Sequence, residues 1–189
     1  MAELSPDLSG EWRIDPNHTR IGFSTRHAMV TKVRGAFNDV EGVIHADAGN
    51  PANSSVRVTI KVASIDTRSA QRDEHLRTND FFDAPTYPEI TFVSSRIDQI
   101  EDVNFIVIGD LTIRGVTQEI SLPIEFLGVE RDPTGLLRAG FEGSRRIDRQ
   151  QFGVKWNTAL DSGGVLVSDK ITLEFEVSAV KVEKTPGAS

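Results

Sequence analysis

Apolar and polar residues alternate with a period of two along most of the chain. Ile171, Leu173, Phe175 and Val177 are interleaved with Thr172, Glu174, Glu176 and Ser178, the pattern of a strand with one face buried. Ile120, Leu122, Ile124 and Phe126 behave in the same way, as do Val56, Val58, Ile60 and Val62. Phe105, Val107, Gly109, Leu111 and Ile113 form a further set, and Ile21, Phe23 and Thr25 a shorter one. Between Val33 and Ile44 the parity slips: Val33, Gly35 and Phe37 are followed by Val40, Gly42 and Ile44. A bulge at Asn38-Asp39 would return both halves to one face.

Turn-forming residues separate these runs at Gly49-Asn50-Pro51, Asp98 to Asp102, Arg114-Gly115 and Asp132-Pro133-Thr134-Gly135, which predicts sequential hairpins. About eight long antiparallel strands with one apolar face can form a sandwich or an up-and-down barrel. Gly22, Gly35, Gly42, Gly109, Gly128 and Gly140 lie inside strand patterns, where glycine costs stability unless the backbone bends sharply or stands back from a lumen. These glycines favour an all-β, eight-stranded up-and-down barrel, about wide enough for one slender ligand. Phe23, Phe37, Val58, Ile60, Phe92, Leu111, Phe126, Phe141 and Leu173 are expected to face inward, and Gly109→Leu would narrow the channel.

One segment breaks the alternation. Ser69 to Asn79 reads as the principal helix, with Ser64, Asp66 or Ser69 as candidate caps and Arg68, Arg72, His75 and Leu76 at spacings of three and four. Its apolar content is too thin for a core helix, so it reads as a lid or plug at a barrel end. Phe81 and Phe82 follow, before Pro85 and Tyr87-Pro88 force an extended entry into the strand carrying Ile90 and Phe92. The two rings either cork the barrel against solvent or line the mouth of a ligand channel, and the two roles are compatible.

The 189 residues fit one domain, from 10 to 182, between flexible ends at 1–9 and 183–189. No apolar run follows Met1 as a leader would, and none reaches membrane-spanning length, which places the protein in the cytoplasm by default. Cysteine is absent, which excludes disulfides, thiolate nucleophiles and cysteine-ligated zinc. The net charge of −7 argues against a nucleic-acid partner, which needs a basic footprint.

The candidate chemistry is sparse. His18, His27, His45 and His75 form no HxH or HExxH motif, so no metal site is expected. His27 shares parity with Phe23 and Thr25, so its imidazole needs a partner near the apolar face. Arg26, Arg145, Arg146 and Arg149 could meet a phosphate or a quinone carbonyl at the barrel mouth, or form surface ion pairs. For Asp148-Arg149 an ion pair that fixes the turn is the economical expectation. Ser24, Ser121 and Ser144 lie outside any GxSxG elbow, and Gly163-Gly164 lacks the setting of a phosphate loop. Glu174 and Glu176 read as a solvated face. No catalytic constellation emerges.

SIDTRSAQRDEHLRTNDFFDAPTYPEITF, from Ser64 to Phe92, resembles the signature of the YceI-like polyisoprenoid-binding family. WRIDPNHTRIGFSTRH, VRGAF, GDLTIRGVTQEI and IDRQQFG agree in order, so the resemblance covers roughly Gly10 to Val182. It implies a lipocalin-like antiparallel barrel of bacterial type, with a helix beside it and a long isoprenoid chain in the lumen. It also implies a homodimer, for which Trp12 or Tyr87 at an exposed edge would give physical support. The helix and the FFDAP turn would shape the channel, with Arg72 and Asp73 organising the segment and Leu76, Phe81 and Phe82 at its mouth. The head group would be tuned by His27, Arg72 or Arg149. The expected function is non-enzymatic binding, storage or transport of a polyprenyl phosphate, an isoprenoid quinone or a related lipid, with no cofactor required. The alternatives are a lipid-modifying or hydrolytic enzyme on the same barrel, and a structural barrel that binds nothing. The resemblance carries no reaction.

Overall fold

The computed structural model describes residues 4–183. The strands are β1 (Gly10–Ile14), β2 (Arg20–His27), β3 (Thr31–Phe37), β4 (Val40–Ala46), β5 (Ser55–Lys61), β6 (Ile65–Asp66), β7 (Glu89–Glu101), β8 (Asn104–Ile113), β9 (Val116–Arg131), β10 (Leu137–Asp148) and β11 (Lys170–Lys181). The helix α1 spans Ala70–Arg77, between β6 and β7. Neighbours run β1-β4-β5-β7-β8-β9-β10-β11, and the pairing of β1 with β11 closes the ring. This is the expected eight-stranded antiparallel barrel.

Closure uses broken strands. β1 and β2 both run antiparallel to β11, Ile14 opposite Ala179 and Arg20 opposite Glu176, so together they make one stave interrupted at residues 15–19. β3 and β4 make a second stave, pairing with β2 and β1 respectively, and β5 and β6 a third. The break between β3 and β4 falls at Asn38-Asp39, where the parity slips. The Asn38 N–H donates to the Ser64 carbonyl at 3.2 Å, and Asp39 accepts from the Lys61 N–H at 2.9 Å, so the irregularity leaves both backbone groups satisfied. Arg114 and Gly115 have φ of 50° and 72°, the two left-handed residues that a tight two-residue hairpin requires.

The inward set of each strand forms one continuous core that includes Phe37, Ile60, Phe92, Leu111 and Phe126, with Phe23, Val58, Phe141 and Leu173 packed against it. Gly109 does not widen the channel. A Cβ there would lie 2.6 Å from the Phe92 ring and 2.5 Å from the Val93 carbonyl oxygen, so the glycine admits a ring and a close neighbouring strand. Gly109→Leu would collide with both before it narrowed any lumen.

α1 begins where Ser69 accepts a hydrogen bond from the Arg72 N–H at 3.3 Å and ends at Arg77, two residues before Asn79. At the opposite barrel end, residues 6–8 form a 3-10 turn, and Leu8 is buried. The segment 1–9 is therefore not wholly a loose end: the Trp12 indole N–H donates to the Leu8 carbonyl at 2.7 Å. Trp12 is fully buried and cannot serve as an exposed dimer anchor; Tyr87 is half-buried, its ring where a Cβ on Gly115 would fall. Of the tail 183–189, residues 184–189 lie outside the described residues.

Arg138 joins three segments at this end. Its guanidinium donates to Asp15 at 2.8 Å and to Asp132 at 2.7 Å. Hydrogen bonding to Arg138 holds the Asp15 carboxyl below the usual range, and bonds from Thr134 and Arg138 depress Asp132 further. Both folded-state values are lowered, so the stabilisation is present above the unfolded value of about 4 and is lost as pH falls through the folded values. Thermal melting followed downward from about pH 4 should show this loss, and Arg138→Ala should flatten it.

Candidate ligand-binding site

The lumen holds a cavity of about 320 Å³, within the range of small-ligand sites. It extends from Leu4, Leu8 and Pro51 at one end to Leu76, Phe81, Phe82 and Val154 at the other. Its wall is carbon, from the inward positions of β5, β7, β8, β9 and β11. Polar residues enter the lining only near the ends: Asp47 and Ser54 beside the N-terminal turn, Thr25 and Arg149 beside α1.

Hydrogen bonds rather than apolar burial hold the α1 end together. The Asp73 carboxylate is buried and accepts from the N–H of Thr67 at 2.8 Å and from its hydroxyl. Arg72 donates from Nε to the Thr67 hydroxyl at 2.7 Å and from a terminal nitrogen to the Thr67 carbonyl. Arg114, from the β8–β9 hairpin, reaches across to the carbonyls of Asn79 and Phe81. This fixes the turn that carries the two phenylalanines. Phe82 meets Phe37 edge-on at 5.8 Å, and Phe81 packs with His75 and Trp156 at ring distances of 5.1 and 5.3 Å.

Trp156 belongs to the loop between β10 and β11, and Arg149 anchors that loop. The Arg149 side chain is only 5 % exposed. It donates to the carbonyls of Ser168 (2.9 Å), Val154 (2.7 Å), Trp156 (3.0 Å) and Val167 (3.3 Å), and lies 3.6 Å from Asp169. Burial lowers its pKa, opposed by the nearby charges of Asp169 and Asp148. The expected Asp148–Arg149 ion pair does not form. Asp148 instead caps the Gln150 N–H at 2.9 Å and pairs with Lys170 at 3.6 Å, because the guanidinium is turned inward to satisfy the loop carbonyls.

The cavity brings together twelve of the residues singled out in the sequence: Phe23, Phe37, Val58, Ile60, Leu76, Phe81, Phe82, Phe92, Leu111, Phe141, Arg149 and Leu173. Three others do not line it. Phe126 is buried but packs against Phe141 at 5.5 Å. His27 sits at the end of β2, opposite Val167. Arg72 has its guanidinium committed to Thr67. Ile120, Ile147, Phe152 and Val154 also line the cavity. Ile120 and Ile147 are inward positions of β9 and β10; Phe152 and Val154 come from the β10–β11 connection, where no alternation extends.

Among the described residues, no group of three or more His, Asp or Glu side chains is placed to hold a metal, and no helix is long and apolar enough to cross a membrane.

The profile of the YceI-like domain matches residues 12–179. A UPF0312 protein of Photorhabdus laumondii is 41 % identical over 157 residues, 82 % of this chain and 81 % of that protein. The crystal structure of BcnA from Burkholderia cenocepacia superposes with a TM-score of 0.75 at 27 % identity, over 87 % of this chain and 98 % of that one. A polyisoprenoid binding domain from Saccharophagus degradans, at 16 % identity, shares the fold with a TM-score of 0.70 over 90 % of this chain and 98 % of its own. The motifs from Trp12 to Gly153, the closed barrel with one helix and the profile agree, and the chain belongs to the YceI-like family.

Proposed function

We propose that this protein binds and carries a long-chain isoprenoid or a related amphiphilic lipid, such as a polyprenyl phosphate or an isoprenoid quinone, without transforming it. The carrying observation is the lumen: a cavity of about 320 Å³ whose wall is carbon along its length, with polar lining only near its ends. Such a site rewards an apolar chain and leaves a head group at a rim. The polyisoprenoid binding domain from Saccharophagus degradans, built on the same fold, supports this ligand class. We place the head group at the α1 end, beside Thr25 and His27. Arg149 acts on the loop rather than on the ligand, because its donors are already engaged by four carbonyls. A hydrolytic reading would need a nucleophile and a base converging on the chain, and the wall offers carbon.

Native mass spectrometry of gently purified protein should show a bound lipid with a long hydrocarbon mass. Ile120→Asp, which sets a charge against the chain, should lower its occupancy by at least about a hundredfold with strand content unchanged by circular dichroism. A shortened or chemically altered lipid released on incubation would favour the enzyme reading. An empty lumen across all preparations would overturn both. The homodimer is part of this proposal, and light scattering that shows only monomer at micromolar concentration would remove it.

A further inference from the structure

The outer face of the barrel changes sign along its strands. Where β10, β11, β2 and β3 lie side by side, the register sets Glu142 opposite Glu176, and Glu176 opposite Arg20. One row nearer the α1 end, Ser144 faces Glu174. The next row is Arg146, Thr172, Ser24 and Arg34. The last has Lys170 on β11 and the cross-strand pair Arg26 and Lys32. Cations thus gather toward the β2–β3 hairpin in a chain whose net charge is −7. Arg26, Lys32, Arg34 and Arg146 are exposed, and none is in an ion pair among those of the described residues. The acidic groups close by are few. Glu174 pairs with Arg20, Asp66 accepts from Asn38 and from the Arg68 N–H, Asp148 pairs with Lys170, and Asp169 lies against Arg149.

The hairpin tip is apolar and uncovered. Met29 is 59 % and Val30 78 % exposed, and Ala28 and Met29 hold positive φ of 50° and 70°. Val165, 41 % exposed, follows Gly164, where an added Cβ would stand 3.1 Å from Met29. The tip therefore abuts the same β10–β11 loop that carries Trp156 and is anchored by Arg149. Exposed apolar side chains ringed by Arg and Lys are what a bilayer interface with anionic head groups accommodates: the apolar atoms enter the boundary and the cations meet phosphate. The other barrel end also exposes Ile100, Val103 and Leu127, but there Glu101 and Glu125 stand beside them, and an anionic surface would repel it.

We infer that the β2–β3 hairpin, with Arg26, Lys32, Arg34 and Arg146 behind Met29 and Val30, docks the α1 end of the barrel on an anionic lipid bilayer. The docking surface stands on its own charge and exposure. Its purpose, passage of a chain between bilayer and lumen at the loop beside the tip, rests on the carrier reading.

Co-sedimentation of the full chain with phosphatidylcholine vesicles, with and without phosphatidylglycerol, tests this. Binding should require phosphatidylglycerol and weaken with salt. The R26E/K32E/R34E variant should lose at least about tenfold in vesicle affinity, and M29S/V30S should weaken it separately, each with its thermal melt unchanged. I100S should leave binding intact. Equal binding to both vesicle types, no binding to either, or insensitivity to both hairpin variants would overturn the inference, as would retention of a single-stranded oligonucleotide in preference to anionic vesicles. Native mass spectrometry separates the two proposals. A protein that holds a lipid chain yet ignores vesicles sinks the docking alone, and one that binds vesicles with an always-empty lumen sinks the carrier alone.

Discussion

Each five-carbon unit added to an isoprenoid ligand is expected to tighten binding by about tenfold or more until the lumen is full, after which affinity should level off. The expectation follows from the wall. Every methylene-sized group moved from water onto carbon contributes about 0.8 kcal/mol before the ordering cost of the chain. The strands supply such contacts over the whole distance between Leu8 and Phe82. Exchanging the head group at fixed chain length should matter less, since polar lining is confined to the two ends. Titration with a homologous series of prenols, followed by calorimetry, reads both effects. A flat response to chain length would show that the lumen does not hold the chain.

Arg149→Ala is expected to destabilise the folded protein by about 3 to 5 kcal/mol, since it orphans buried and part-buried backbone carbonyls that the guanidinium now satisfies. Arg149→Lys should recover only part of the loss, because a single ammonium cannot reproduce a planar fork that meets the Ser168, Val154, Trp156 and Val167 carbonyls together. Urea unfolding gives the magnitude. A second readout separates this role from general packing: amide exchange in residues 153–169 should quicken in Arg149→Lys far more than exchange in β8. Equal protection in the two regions would contradict the assignment.

What the sequence made legible follows from what each residue's neighbours are. The strands could be read because their partners impose a strict period of two, and even the bulge at Asn38-Asp39 announced itself as a slip in that period. The break at residues 15–19 did not, because β1 is only five residues long and offers little alternation to interrupt. Inward positions such as Val58 and Leu111 were likewise local facts, fixed by parity. The two ends of the lumen were not. Leu8, Phe152 and Val154 reach the cavity through irregular backbone, where direction depends on contacts remote in sequence. Arg149 stands in a recognisable motif, yet a guanidinium that serves four carbonyls up to nineteen residues away leaves no periodic trace. Arg72 stands off the cavity for a related reason: helical spacing tells which way a side chain leaves the backbone, not whether a nearer partner such as Thr67 has already engaged it.

The chain has two tryptophans, and the barrel sets them at opposite ends. Trp12 is wholly buried and bonded to Leu8, while Trp156 is half-buried, with its ring 4.9 Å from His75 and 5.3 Å from Phe81. The molecule therefore carries its own optical pair. With Trp12 replaced by Phe, the remaining indole emission would report the ring cluster over the α1 end alone. With Trp156 replaced instead, emission would follow the N-terminal turn. Movement at one mouth of the barrel can thus be told from movement at the other by fluorescence, with no dye attached.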